Sequence, residues 1–320
     1  MKLGVLTVLF QDRPLDTALD QLVKMGVQAV EIGTGSYPGN AHCNPTDLLK
    51  NPAAVKAFRK NIEGRGLMIS GLSCHGNPLS PDKAFAAESD RVYRETVRLA
   101  SEMEVGVVNL FSGCPGDSEN AKFPNWVTCS WPPEFSQVLE WQWNEKVIPY
   151  WQEAGPFAEK AGVKLAFEMH PGFVVYNPET LLRLRQAVGP VIGANFDPSH
   201  LFWQGIDPVA AIHYLTGAIH HFHAKDTYMD QRNVAVNGVL DTKPYSKLPQ
   251  RSWTFRTVGY GHDLFTWRSI ISALRITGYD YVISIEHEDP LASIDEGLAK
   301  AVSFLQEALL TEQPTAMWWA

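Results

Sequence analysis

The run Val191 to His200, VIGANFDPSH, constrains the fold more than any other stretch of this chain. Its first residues suit a buried strand. Pro198 cannot donate to a sheet ladder, so the strand stops there and leaves Asp197 and His200 at its C-terminal end. Three further apolar runs end in the same way: KLAFEMH with Glu168 and His170, AIHHFHAKD with His223, and YVISIEHED with Glu286. If such strands run parallel and close on themselves, their ends bring carboxylates and an imidazole to one point on the C-terminal rim. Side chains alternate along a strand, so His221 and His223 share one face, as do Val282, Ser284 and Glu286.

The rest of the chain supplies the remaining units. Strand-like runs cover Leu3 to Phe10, VQAVEIG ending near Glu31 and Gly33, LMISGLSCHG ending at His75, and VGVVNLF. They alternate with helical patterns at about 47–63, 82–104, 207–214 and 264–277. Asn177-Pro178 opens a further helix, and Ser293 with Glu296 forms a capping-box pattern for the last one. Eight strand–helix units predict an α/β fold, a single (β/α)8 barrel spanning 1–320 with long loops after strands four and seven. The fourth-strand loop, SGCPGDSENAKFPNWVTCSWPPEF, has no clear period and is a candidate lid. Helical character resumes through Trp141, Trp143 and Trp151, where Pro149 and Pro156 are expected to bend or split the helix. The segment Lys225 to His262 is too long for a simple connection.

Net charge decides the partner class. At −8, the chain lacks the clustered Lys and Arg that a nucleic-acid or anionic-membrane surface requires. No apolar run is long enough to span a bilayer, and LGVLTVLF, followed at once by QDRP, reads as a first strand rather than a signal peptide. Cys43, Cys74, Cys114 and Cys129 form no CxxC pair and suit reduced thiols in a cytoplasmic protein. The aromatic tail MWWA points to a subunit contact, hence a homo-oligomer.

Buried carboxylates without partners are costly, and a divalent cation removes that cost. Glu168, Asp197, His223 and Glu286 are therefore candidate ligands for one divalent ion: Mn2+ first, with Mg2+, Co2+ or Zn2+ also compatible. His200, His170, His75, Lys225 and Arg256 are candidate substrate contacts, although strand-end histidines and rim cations also serve in packing and surface ion pairs. His213, His220 and His287 are read as structural.

The set FEMH, NFDPSH, HFHAKD, Gly259-Tyr260-Gly261 after Arg256, and SIEHED resembles the xylose-isomerase-like TIM-barrel superfamily, the sugar phosphate isomerases and epimerases. The resemblance covers nearly the whole chain. In its ketose 3-epimerase branch it implies that Glu168, Asp197, His223 and Glu286 hold one ion, that Glu168 and Glu286 also act as acid and base on opposite faces of the sugar, and that His200 touches a substrate oxygen. The endonuclease IV branch carries an extra Asp-x-His pair before the Gly-x-Gly stretch. This chain has Phe255-Arg256-Thr257 there, which disfavours a trinuclear DNA-cleaving site.

The expected function is a divalent-metal-dependent isomerase or epimerase moving a proton on a ketose or keto-sugar through an enediolate. The alternative is a lyase or dehydratase of a 3-keto sugar or glycoside; a nuclease or a non-catalytic sugar-binding barrel is less favoured. A hydride shift would need a second metal site, for which Asp226 is the one extra acid in view. Lys225, Arg232, Lys243, Lys247, Arg251 and Arg256 offer a phosphate site after strand seven, whereas Trp126 and Trp131 suit an uncharged sugar face. The balance favours an unphosphorylated sugar.

Overall fold

A computed structural model describes all 320 residues. Eight parallel strands close into a barrel: β1 (Lys2–Leu6), β2 (Ala29–Gly33), β3 (Met68–Ser73), β4 (Val107–Leu110), β5 (Lys164–Glu168), β6 (Ile192–Phe196), β7 (Ile219–Ala224) and, last in sequence, β10 (Val282–Ile285). Closure runs through β10, which pairs with β1 on one side (Val5 opposite Ile285) and β7 on the other (Ser284 opposite His223). The strands are buried on both faces, as expected where helices cover the outside of a parallel sheet.

The long segment after β7 is ordered. β8 (Asp226–Met229) pairs antiparallel with β9 (Trp253–Arg256), and a helix over Gln231–Asn237 lies between them. Asp226 organises this excursion. Its Oδ2 accepts from the backbone N–H groups of Gly259, Gly261 and His262, at 3.0 to 3.2 Å, and from Trp267 Nε1. A Cβ on Gly261 would lie 2.3 Å from the Thr227 carbonyl oxygen, so the Gly-Tyr-Gly turn closes over Asp226 only with glycine there.

Several local expectations need correction. The helix expected over 47–63 is two, Pro45–Leu48 and Pro52–Glu63, because Asn44 and Asn51 each cap a new start ahead of a proline. Pro149 and Pro156 do not split their helix. The helical run continues from Pro133 to Lys160, with a wider turn at Gln142–Val147 that loosens the hydrogen bonding just before Pro149. The loop after β4 is pinned: Gln142 Nε2 donates to the carbonyls of Pro115, Gly116 and Asn125. No helix is long and apolar enough to cross a membrane.

Candidate metal centre

Four strands bring a carboxylate or imidazole to their C-terminal ends. On β6, Asp197 leaves the strand as the cap of a short helix, Pro198–Phe202, its Oδ1 accepting from Ser199 N at 2.8 Å. Oδ2 is buried and makes no hydrogen bond of good geometry, with Lys225 Nζ and His200 Nε2 each 3.2 Å away. His223 sits one residue before the end of β7, inside the barrel, and Glu168 closes β5. Glu286 follows directly on β10.

These four residues converge, each offering one ligand atom, all within 4.8 Å of one another. His223 Nδ1 lies 3.0 Å from Glu286 Oε2 and 3.4 Å from Glu168 Oε2. Ion–ligand bonds of about 2.0–2.2 Å give ligand–ligand edges of about 3.0–3.5 Å, so the observed spacings suit one ion. His223 Nδ1, like Asp197 Oδ2, is buried and makes no hydrogen bond of good geometry. Three oxygens and one nitrogen form a donor set for a hard or borderline divalent cation. The residues present fit the group that the sequence implies.

Electrostatics support the same reading. Burial works against the charge on Glu168, but the His200, His223 and His75 rings, 3.0 to 3.4 Å from its oxygens, outweigh it and hold the carboxyl well below its usual range. Glu286 also overcomes burial, mainly through Lys225, and is held down at about 2. Asp197 is the exception: burial, with Glu168 and Glu286 nearby, pushes it up to about 6 despite Lys225. The cluster thus crowds negative charge that a cation would relieve.

A cavity of about 350 Å³ opens above the cluster, lined by Glu168, Glu286, His75, His170, Lys225 and Glu288, with Phe111 and Phe173 as an aromatic wall. The two phenylalanine rings stack at 4.1 Å. His75, His170 and Lys225 thus reach the cavity. His200 is instead buried behind it, its Nε2 3.0 Å from Glu168 Oε1 and 3.2 Å from Asp197 Oδ2. Arg256 is not brought into the cluster: its Nε lies 3.1 Å from both Asp289 oxygens and its guanidinium covers the Tyr260 ring. Asp226, its oxygens taken by backbone and side-chain donors, does not build a second metal site. Trp126 packs on Tyr176 and Trp131 is exposed; neither lines the cavity.

One residue at the centre escaped the sequence reading as a site residue. Glu31, fully buried on β2, accepts from His223 Nε2 at 2.9 Å on both oxygens. It also accepts from Ser284 Oγ at 2.8 Å, from Asn109 Nδ2 at 2.7 Å and from Ser73 Oγ. This fixes the His223 ring with Nε2 bound to a carboxylate and Nδ1 facing the other three ligands, the usual outer partnership of a metal-binding histidine. Glu31 is held below its usual range because the His223 and His221 imidazoles and these donors outweigh burial. The pairing of β2 with β3 shifts register between Val30 and Glu31, which re-aims the side chain. A sequence signal existed: a lone acid in the middle of the apolar run VQAVEIG has to be satisfied by something inside the fold.

A family model described as xylose isomerase-like TIM barrel matches residues 19–308. The chain is 38% identical over 97% of its length to the uncharacterized protein YfiH of Bacillus subtilis (strain 168), covering 99% of that protein. It is 22% identical to the inosose dehydratase of Geobacillus thermodenitrificans (strain NG80-2), over 81% of this chain and 82% of that one. Among solved structures, a D-tagatose 3-epimerase-like protein superposes with a TM-score of 0.63 at 20% identity, covering 96% of this chain and 98% of the other. The IOLI protein with a bound zinc atom superposes with a TM-score of 0.64 at 17% identity, covering 96% of each chain. At such identities the structural likeness carries the fold alone.

Proposed function

Because the chain belongs to the xylose isomerase-like TIM-barrel family, we propose that it is a divalent-metal-dependent isomerase or epimerase that moves a proton on the carbon beside the carbonyl of a ketose or keto-sugar. The observation that carries this reading is the pair of ionised carboxylates, Glu168 and Glu286, on either side of His223 Nδ1 at the cavity floor. They stand on strands separated by β6 and β7 around the barrel, so they approach a bound ring from different directions. Inversion of a centre needs a base on one face and a proton donor on the other: one carboxylate takes the proton, and the other returns one that it first receives from solvent or from the Lys225 ammonium, 2.8 Å from Glu286 Oε2.

Glu168, Asp197, His223 and Glu286 would hold the ion, which supplies Lewis acidity toward a carbonyl and its neighbouring hydroxyl, an effect of several kcal/mol. The side chains do the rest. Both glutamates are ionised at neutral pH, and either can accept the proton. The Lys225 ammonium, 2.8 Å from Glu286 Oε2 and lining the cavity, lies where it can steady the oxyanion that forms as the proton leaves. Burial holds His170 down at about 4, so it meets substrate as a neutral hydrogen-bonding ring. The aromatic wall excludes water from one side.

A second reading is favoured by the similarity to inosose dehydratases. The same carboxylate removes the proton beside the carbonyl; the C–O bond at the next carbon then breaks, and Lys225 gives its proton to the departing hydroxyl, which leaves as water. The cations after β7 do not gather at the cavity as a phosphate site would require. Lys225 lies against Glu286 and Glu288, Lys243 against Asp241, and Arg256 against Asp289. This supports an unphosphorylated substrate.

Turnover in deuterium oxide with a panel of ketoses and 3-keto sugars tests both readings. Proton transfer places solvent deuterium beside the carbonyl; an inverted centre or an aldose marks the first reading, an unsaturated ketone the second. Clean turnover to an inverted ketose or an aldose with no solvent deuterium would overturn the proton transfer of the first reading.

A further inference from the structure

The cavity over the carboxylates does not end at its own wall. A second hollow of about 540 Å³ opens beside it, and His170 and Glu288 line both. Its distinguishing part comes from the excursion after β7. Tyr245 stacks on Phe255 at 5.8 Å, and the Arg251 guanidinium lies 4.2 Å from its ring centroid, so the phenol is held in place although it is 53% exposed. Phe255 in turn lies under the Lys225 ammonium at 4.7 Å, so one aromatic stack leads from the reacting groups into the second hollow.

The polar groups there are acidic, and they differ in freedom. Asp289 is used up by Arg256 and by the backbone N–H groups of Thr257 and Leu291, both at 2.8 Å. Glu288 meets Lys225 at 3.2 Å and keeps its side chain half exposed at the junction of the two hollows. An aromatic edge beside a half-exposed carboxylate suits a ring with apolar C–H faces and hydroxyl edges, and it repels phosphate. A third hollow, on the side of Gln11 and Asp12, has no phenylalanine, tyrosine or tryptophan in its lining.

We infer that the hollow between Tyr245 and Glu288 is a subsite for a second, uncharged sugar ring, so that the substrate is a keto-glycoside of two rings rather than a free monosaccharide. This rests on the reading of the carboxylate cluster as a keto-sugar site and adds the class of substituent that site accepts. The ketone ring occupies the cavity over Glu168 and Glu286, and its glycosyl substituent passes Glu288 to reach Tyr245.

The test compares the 3-keto derivative of a glucosyl disaccharide with 3-keto-glucose, using metal-loaded protein. It also measures saturation transfer from the protein to the unoxidised disaccharide and to glucose. The two-ring ketone should exceed the one-ring ketone in kcat/KM by about tenfold, the value of one good aromatic contact. Ala292→Trp, which fills the second hollow without touching the first, should erase that preference and leave one-ring turnover unchanged. Tyr245→Ala should reduce it. Equal kcat/KM for the two ketones overturns the subsite while leaving the proton-transfer reading intact. If neither ketone is turned over, saturation transfer to the disaccharide that disappears in Ala292→Trp upholds the subsite, and its absence from wild-type protein rejects it.

Discussion

The two ends of the barrel both carry hollows, and they differ in what their polar atoms have to bond to. At the N-terminal end, a cavity of about 550 Å³ is larger than the one over the carboxylates. Its polar groups are satisfied within the chain. Tyr279 O–H donates to the Val282 carbonyl, Tyr281 O–H to that of Ser70, His220 Nε2 bonds the Pro190 carbonyl, and Asp280 pairs with the N-terminal ammonium at 2.6 Å. At the C-terminal end, Asp197 Oδ2, His223 Nδ1 and His75 Nε2 are buried and form no hydrogen bond of good geometry, facing only other ionisable groups at 3.0 to 3.4 Å. Native proteins rarely leave buried polar atoms in that condition without a reason, so unsatisfied groups mark the functional end where volume would have chosen the other.

The most severe way to challenge the contrast is Glu168→Gln, which removes a carboxylate proposed both to hold the ion and to act as a base. General acid–base catalysis is worth about 10²–10⁴-fold, and kcat should fall by at least that. Glu286→Gln should do the same. A variant that folds by circular dichroism and keeps more than a tenth of wild-type kcat would show that the unsatisfied end does no proton chemistry.

Metal content should respond next. Purified protein should hold one divalent ion per chain by native mass spectrometry and elemental analysis, and Asp197→Asn or His223→Ala should lose it. Chelation should lower the melting temperature, since a ligand present at a hundred times its Kd stabilises the folded state by about 2.7 kcal/mol. Full occupancy in both variants would remove the four-residue assignment. Glu31→Gln sharpens the point, because it leaves the four proposed ligands in place and alters what holds His223, together with the bonds from Ser73, Asn109 and Ser284. Loss of such an outer partner weakens metal binding by about 10–100-fold. Titration of the metal-free variant with Mn2+ or Zn2+ reads this directly, and unchanged affinity would make Glu31 a packing residue.

The same contrast explains which parts of the molecule were legible in sequence. Strand ends were readable because a proline or a charged residue interrupts an apolar run, as at Asp197-Pro198, and eight such units with helices between them admit few folds. Glu168, Asp197, His223 and Glu286 fell on those ends and could be named together. Glu31 and Asn109 lie within strands, where a polar residue betrays itself only if one asks what satisfies it. The resemblance carried Gly259-Tyr260-Gly261 as a motif but not its task, which is to close over Asp226 through backbone donors. Arg256 and the tryptophans of the β4 loop were misplaced for a different reason: rim loops fold on one another, and nothing in composition says which way a loop residue faces. Arg256 turned to Asp289 and Trp126 to Tyr176.

The smallest effect belongs to the satisfied end. Burial pushes His220 down to about 4, with Lys164 and Arg185 acting in the same direction and the Pro190 carbonyl opposing them. The ring is held over Gly193, where a Cβ would come within 2.3 Å of it. Its folded value is below the ordinary 6.5, so above that pH neither state is protonated and the group contributes nothing to the pH dependence. As pH falls from about 6.5 toward 4, the unfolded chain takes up a proton that the folded chain does not, and stability declines over that window. At pH 5 the loss is about 1–2 kcal/mol. His220→Gln keeps a donor for the Pro190 carbonyl but cannot titrate, so its melting temperature should drop less than that of wild type between pH 7 and pH 5. His170 and His221, also held at about 4 by burial, keep part of the acid sensitivity in both proteins, and the difference between the two slopes isolates His220. Turnover at pH 7 should be unchanged, because His220 touches nothing at the carboxylate end. Parallel melting curves would show that the ring is solvated through the N-terminal mouth, and a loss of activity would show that the two ends are coupled through β7.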